Sequence, residues 1–354
     1  MMKIRVLHFA GPSMKRGAEM FAKRLSNRLK DEGIESTVFF YPEGKGELRV
    51  HFQILSLIRR IRPNIVHLHW SRYLRPLYLM KNLGMLRDTR IVMGQIGFSS
   101  FFIKSGVKAR IVGHLIDRLC DRVVAVCSAV GEDFQQIFPW ISANKLALIN
   151  NGVDIKGFLS SAGNREAFRI SIGVNHNETL MISVGAFSPE KNHAFLLRCL
   201  SKLDPYGWKM IFVGDGPTRP DCERLARDLM LDKCILFAGE KDNVAEFLNA
   251  SDIFLLPSLT EGLSLALIEA GLLGLPALAS DKGGNSEIVQ DGLTGFILSL
   301  DEKAWVEKLT ELIRNPELRR RMGKEATLLC QRKFNLDDIA IQYVNLYREV
   351  LCEK

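Results

Sequence analysis

Two acids, Glu261 and Glu269, stand eight residues apart around an apolar run, within the stretch from Pro257 to Gly295. Leu255 and Leu256 end an apolar strand, Pro257 stops the hydrogen-bond ladder, and residues 263–273 have the length and composition of a buried helix. The turn Thr260-Glu261-Gly262 then lies at a strand's carboxyl end and a helix's amino end. Open parallel sheets bind ligands there, and unpaired N–H groups there attract phosphate. Leu263, Ser264 and Leu265 are expected to present those amides. Glu269, two turns in, is placed to accept a pair of ribose hydroxyls, as acids do in dinucleotide folds, while Glu261 at the mouth would face a sugar. The residues alone leave a second reading open, in which Glu261 caps a helix and Glu269 faces solvent.

The elements that must position these groups follow from the rest of the chain. At 354 residues, 47% of them apolar, it suits two domains rather than one core. Strand and helix patterns alternate from residue 4, pause in a polar stretch at 160–178 and restart at 180, which predicts an α/β protein. The expected divisions are 1–165, 166–335 and a closing helix at 336–354. Seven cysteines without paired spacing read as reduced core thiols of a cytoplasmic protein. The opening apolar run is too short for a signal peptide and reads as a first strand, and no spanning helix is predicted. Charge is uneven: residues 1–170 hold 27 Lys and Arg against 13 Asp and Glu, and residues 171–354 hold 21 against 27. The basic half suggests an anionic partner, a phospholipid surface or a lipid-linked diphosphate, with ordinary solubilising charge as the alternative. A helix at 48–62 carrying Arg49, Arg59, Arg60 and Arg62 is the candidate for that surface.

Further side chains could act at strand ends. In Ile65-Val66-His67-Leu68-His69-Trp70, alternation puts His67 and His69 on one face, and His69 at the carboxyl end can reach a ligand hydroxyl or serve as a satisfied core residue. Two histidines at this spacing, without a third ligand, do not make a metal site. The loop at 99–108, with Phe98, Phe101 and Phe102, reads as mobile with an aromatic wall. Gly214-Asp215-Gly216-Pro217 follows an apolar strand, and a bare G-x-G there can simply be a turn. The first strand–helix junction lacks G-x-G-x-x-G and a following ribose acid, which argues against a NAD-dependent dehydrogenase.

The two acids with Gly274-x-Pro276, Gly283-Gly284-Asn285-x-Glu287 and Gly292-x-x-Gly295 resemble the donor-site signature of retaining glycosyltransferases of family 4, the GT-B type. The resemblance covers nearly the whole chain and is strongest over 185–295. It implies two Rossmann-like, doubly wound domains facing an interdomain cleft, the C-terminal one holding a nucleotide sugar and the N-terminal one the acceptor. Lys191 matches the family's lysine on the donor phosphates, and Glu261 the acid that orients the sugar; these two are the catalytic candidates. Gly17, in Arg16-Gly17-Ala18-Glu19, matches a glycine that lets the backbone approach the diphosphate. Gly214, Asp215, Gly216, Val244, Gly262, Leu263, Ser264, Leu265 and Glu269 fall on donor-binding positions, and His69 and Gln95 on acceptor-binding ones. Two departures stand out: Ala186 replaces a frequent arginine, and Gln95 or Ile96 replaces a histidine near the donor sugar.

The expected activity is transfer of a hexose or N-acetylhexosamine from a nucleotide diphosphate sugar, UDP-linked on family frequency, to a glycan or lipid-linked hydroxyl in bacterial surface polysaccharide synthesis. Configuration is retained, and neither metal nor cofactor is expected, the nucleotide sugar being a co-substrate. Partners are the donor, the acceptor and an anionic membrane at the inner face, not nucleic acid. A non-hydrolysing UDP-sugar 2-epimerase and a catalytically silent nucleotide-sugar-binding scaffold are the competing expectations, separated from transfer by an acceptor requirement and by turnover.

Overall fold

Short runs of Val, Ile, Leu and Phe, apolar on both faces, can only be satisfied inside a sheet covered on both sides, and parallel strands linked by helices are the structure that covers them. The chain, seen in a computed structural model describing residues 3–12, 17–42, 47–103 and 106–353, builds two such sheets. Lys15, Arg16 and the Phe101 and Phe102 side chains lie outside the described residues. Residues 1–152 with 336–354 form one compact unit and residues 153–335 another.

In the first unit β1 (Arg5–Ala10), β2 (Glu35–Phe40), β3 (Ile65–Leu68), β4 (Arg90–Gln95), β5 (Arg122–Ala125) and β6 (Leu146–Leu148) lie parallel in the order β2-β1-β3-β4-β5-β6. Leu7, Phe9, Val66, Leu68, Ile91 and Met93 point to one face and enter the same core cluster. The other face, carrying His8, His67 and His69, is covered in part by the helix Leu336–Cys352 through Tyr343 and Tyr347. Residues 99–108, expected as a loop, hold the short helix Ser99–Phe102 and the start of the helix Gly106–Leu119. Asp133, buried behind them, accepts the Ser99 backbone N–H at 2.5 Å and satisfies a donor at the start of the short helix.

In the second unit β7 (Thr179–Val184), β8 (Trp208–Val213), β9 (Ile235–Gly239), β10 (Ile253–Leu256), β11 (Ala277–Ser280) and β12 (Gly295–Leu298) are also parallel, in the order β12-β11-β10-β7-β8-β9. That is the doubly wound dinucleotide-type order, and its winding reverses between β7 and β10. The core here is Met181, Met210, Phe212, Leu255, Leu278 and Trp305 with their neighbours. The polar stretch 160–178 contains the helix Arg165–Ser171. Arg165 and Arg169 tie it to Asp252 at 2.6 and 3.1 Å, and Arg169 also donates to the Ala250 carbonyl at 2.8 Å. Among the described residues no helix is long and apolar enough to cross a membrane.

Candidate active site

Ligands of an open parallel sheet bind where the winding reverses, at the carboxyl ends of the strands. In the second sheet that point lies between the loops after β7 and β10, and these loops are stitched together. Asn192 adopts a left-handed conformation (φ 54°), which its short polar side chain tolerates, and its amide donates to the Pro257 carbonyl at 3.3 Å. The Leu259 N–H donates to the Glu190 carbonyl at 2.8 Å. The stitching brings Lys191 to Glu261, Nζ to Oε2 at 2.6 Å, with both side chains mostly buried.

Glu261 is also held from below. Ser258, fully buried, donates its hydroxyl to Glu261 Oε2 at 3.0 Å. Ser280 at the end of β11 donates to the Ser258 carbonyl at 2.7 Å, and Asn285 donates to the Ser280 carbonyl at 3.0 Å. Asn285, part of the Gly283-Gly284-Asn285 motif, thus fixes the end of β11, and Ser280 ties that end to the loop after β10. The sequence gives Asn192 and Ser258 no site role, because Asn192 bonds a residue 65 positions away and a buried serine beside a proline has no pattern of its own; Asn285 appears there only as part of a motif, without its partner Ser280.

The helix after β10 begins later than its apolar run suggests. It spans Leu265–Leu272, with Ser264 as its N-cap accepting the Leu267 N–H at 3.3 Å. Ser264 therefore caps the helix rather than belonging to its first turn, and Leu263 precedes the cap, because the serine hydroxyl competes for backbone donors. Gly262 enters another contact, its carbonyl accepting the Gly284 N–H at 2.9 Å. Glu269 lies on the half-buried side of the helix with Leu265 and Ala266, between the buried Ile268 and Ala270.

The G-x-G after β8 has a packing role. Gly214 and Gly216 have φ of 141° and 154°, and a Cβ on either would collide with the backbone of the β7 loop, at the Gly185 and Phe187 carbonyls. Asp215 between them pairs with Arg219 at 3.1 Å. Val244 opens the helix Val244–Ala250, and Ala186 is exposed. His193, stacked on Phe187 with ring centroids 4.3 Å apart, is pushed down to about 4 by burial and by the Lys191 charge.

The first unit contributes a different surface. Gly17 opens the helix Gly17–Asp31 and is exposed. Gln95 ends β4, its amide donating to the Ser99 hydroxyl at 3.1 Å, and it lines a cavity of about 430 Å³. Val50, Ile54, Leu74 and Ile116 give this cavity apolar walls, and Arg72, Arg75 and Lys108 supply cations. Arg72 lies over the Tyr41 ring at 4.9 Å. His69 is only 6% exposed; its Nε2 lies 3.0 Å from His8 Nδ1, and burial pulls its pKa down to about 3. The third histidine that the His67–His69 spacing lacked is His8, aligned with His67 in the β1–β3 register.

Comparison with known proteins bears on both units. The family model described as glycosyl transferases group 1 matches residues 164–328, and the model described as glycosyltransferase family 4 matches residues 40–156. The N-acetyl-alpha-D-glucosaminyl L-malate synthase of Bacillus anthracis is 32% identical over 181 residues, 51% of this chain and 48% of that protein. The UDP-Gal:alpha-D-GlcNAc-diphosphoundecaprenol alpha-1,3-galactosyltransferase of Escherichia coli is 30% identical over 169 residues, 46% of this chain and 43% of that one. The chain thus spans about half the length of these curated relatives. Anabaena HepE, crystallised with UDP and glucose, shares the fold with a TM-score of 0.85 at 18% identity, over 98% of this chain and 100% of that one. Two doubly wound sheets, the acid pair after β10 and two family models laid end to end on these units lead to one conclusion: the chain belongs to the GT-B glycosyltransferases of family 4.

Proposed function

We propose that this chain transfers a hexose or N-acetylhexosamine from a UDP-linked sugar to a hydroxyl of a glycan or lipid-linked acceptor, with retained configuration, in bacterial surface polysaccharide synthesis. The observation that carries the reading is the Lys191–Glu261 pair at the switch point of the second sheet. Such a pair holds a cation ready, neutralised, where a diphosphate would arrive. In this reading the bond from the sugar's anomeric carbon to the diphosphate oxygen breaks as the acceptor oxygen attacks the same face. The departing phosphate takes the acceptor's proton, leaving a glycoside and a nucleoside diphosphate, so no protein base is required. Lys191 turns from Glu261 to the diphosphate and compensates its growing charge, the part a divalent ion plays in other transferases. Glu261, released, orients the sugar hydroxyls, and Glu269 takes the ribose.

The acceptor is assigned to the cavity at Gln95, whose cations suit a phosphate and whose apolar walls suit a chain attached to it. The E. coli relative, whose acceptor is named as a diphosphoundecaprenol, supports that choice. The helix Glu47–Ile61, with Arg59 and Arg60 in its last turn and Phe52 71% exposed, is assigned to contact with an anionic membrane.

Thermal unfolding with UDP, GDP, ADP and NAD, without and with EDTA, tests the donor site. A ligand at a hundred times its dissociation constant adds about 2.7 kcal/mol. The expected result is a shift with UDP alone, unchanged by EDTA and abolished by Glu269→Ala. No shift with any nucleotide overturns the reading; a UDP shift without turnover on any acceptor favours a nucleotide-sugar-binding scaffold.

A further inference from the structure

Three imidazoles meet on one face of the first sheet. His8 and His67 are register partners on neighbouring strands, and His69 repeats the face two residues on. Their ring centroids lie 4.1 to 5.3 Å apart, and one ring nitrogen from each falls within 4.8 Å of the others. His8 and His67 are fully buried and His69 nearly so. Hydrogen bonding within the protein does not use up their nitrogens. His8 Nδ1 and His69 Nε2 share one bond at 3.0 Å, and His67 Nδ1 meets the Tyr347 hydroxyl at 2.7 Å. His8 Nε2 and His67 Nε2 are left buried with no partner. A buried polar atom without a partner costs about 1–3 kcal/mol, and native structures hold few of them.

We propose that His8, His67 and His69 bind one divalent transition-metal ion of the zinc class, which ties β1 to β3. The inference concerns the first unit alone and does not depend on the transfer reaction. Several observations agree with it. The donor set is three neutral nitrogens, which suits zinc, cobalt, nickel or copper rather than the oxygen-seeking magnesium and calcium. All three rings lie on one face of adjacent strands, and two of their ring nitrogens, His8 Nε2 and His67 Nε2, are buried without a partner. With His67 Nδ1–H donating to the Tyr347 oxygen, Nε2 carries the lone pair, the arrangement of an outer partner that fixes a metal-binding histidine.

Room for a fourth ligand comes from β4. Gly94 faces the cluster, and a Cβ there would lie 3.4 Å from the Leu68 carbonyl oxygen, 3.6 Å from His67 Nε2 and 3.9 Å from His69 Nδ1. A water or hydroxide in that space would complete a four-coordinate site and reduce the buried charge. Ligand nitrogens 2.0–2.1 Å from a tetrahedral ion stand roughly 3.3 Å apart. His8 Nδ1 and His69 Nε2, 3.0 Å apart, have nearly that spacing, and a ring nitrogen of His67 lies within 4.8 Å of the other two histidines.

The test is elemental analysis of the full chain from metal-supplemented expression, together with Co²⁺ titration of the chelator-treated chain, followed in the visible range until the signal is constant. The expected result is one equivalent per chain with the intense bands of four-coordinate cobalt. His8→Phe keeps a ring and removes both nitrogens, and should weaken uptake by at least ~100-fold; Tyr347→Phe keeps every ligand and should weaken it about 10- to 100-fold. A wild-type chain that takes up no metal by either route overturns the proposal, whether or not the variants fold. Uptake that His8→Phe leaves unchanged also overturns it, since the ion then sits on other histidines or cysteines.

Discussion

Lys191 and Glu261, the lysine and the acid that the family resemblance singles out, pair with each other at 2.6 Å. The proposed reaction gives them different tasks, so their substitutions should separate. Lys191→Ala should lower transfer by about 10²–10³-fold, the size of one lost electrostatic stabiliser in a dry site, and weaken UDP binding as well. Glu261→Gln should lower transfer similarly while leaving UDP affinity equal or higher, because Lys191 no longer has a competing anion. Initial rates and calorimetric titration check both; equal loss of UDP affinity in the two variants would mean that the pair only holds the loops together. Ser258→Ala removes one hydrogen bond to Glu261 from a fully buried position and should cost ~1 kcal/mol of stability, with a larger effect on kcat than on the KM for donor.

Single elements carry two further expectations. The helix Leu265–Leu272 is short and apolar, so its Ser264 cap matters, and Ser264→Ala should destabilise the chain by about 1 kcal/mol in denaturant unfolding. The histidine face of β1 and β3 makes the first unit sensitive to acid. His8, His67 and His69 bind protons less readily when folded than in the unfolded chain, where the ordinary value is near 6.5. Stability from their neutral burial is therefore complete above about pH 6.5 and is lost as pH falls below it, down to about 3 for His69. Each titrating imidazole adds a slope of up to ~1.4 kcal/mol per pH unit. Unfolding followed from pH 7.5 to 4.5 should show this loss, and a flat profile would mean that the rings charge freely in the folded state.

For the whole molecule, two units with separate cores predict two responses that can be told apart. In calorimetry acid should lower the transition of the first unit, while UDP should raise that of the second. Hydrogen exchange assigns them by residue: UDP protection belongs at the loops after β7 and β10, and acid-induced exchange at β1 and β3. The basic charge of residues 1–170 belongs to the same scale. Vesicles with anionic lipid should bind the chain and neutral ones should not, with added salt releasing it. Each of Arg59→Gln and Arg60→Gln should weaken binding about fivefold, or ~1 kcal/mol near a charged surface.

The sequence by itself determined the α/β alternation, most strand and helix positions and the acid pair around an apolar run, because hydrophobic period and turn chemistry are local properties. It also placed Glu261 in the turn at the end of a strand, and the family resemblance named Lys191 as the lysine on the donor phosphates. Strand order is not local, and the tertiary structure decided what depends on it. Only the β7–β10 neighbourhood shows that Lys191 and Glu261 are in contact, and only the β10–β11 pairing shows that Ser280 steadies the Ser258 that bonds the acid. Only the β1–β3 register brings His8 beside His67, turning an i, i+2 pair into a cluster of three. The helix start moved to Leu265 because a serine hydroxyl captures an amide that hydropathy does not register. For Gly214 and Gly216 the tertiary structure adds a packing reason to the turn that the sequence shows: a neighbouring backbone occupies the space that their missing side chains leave.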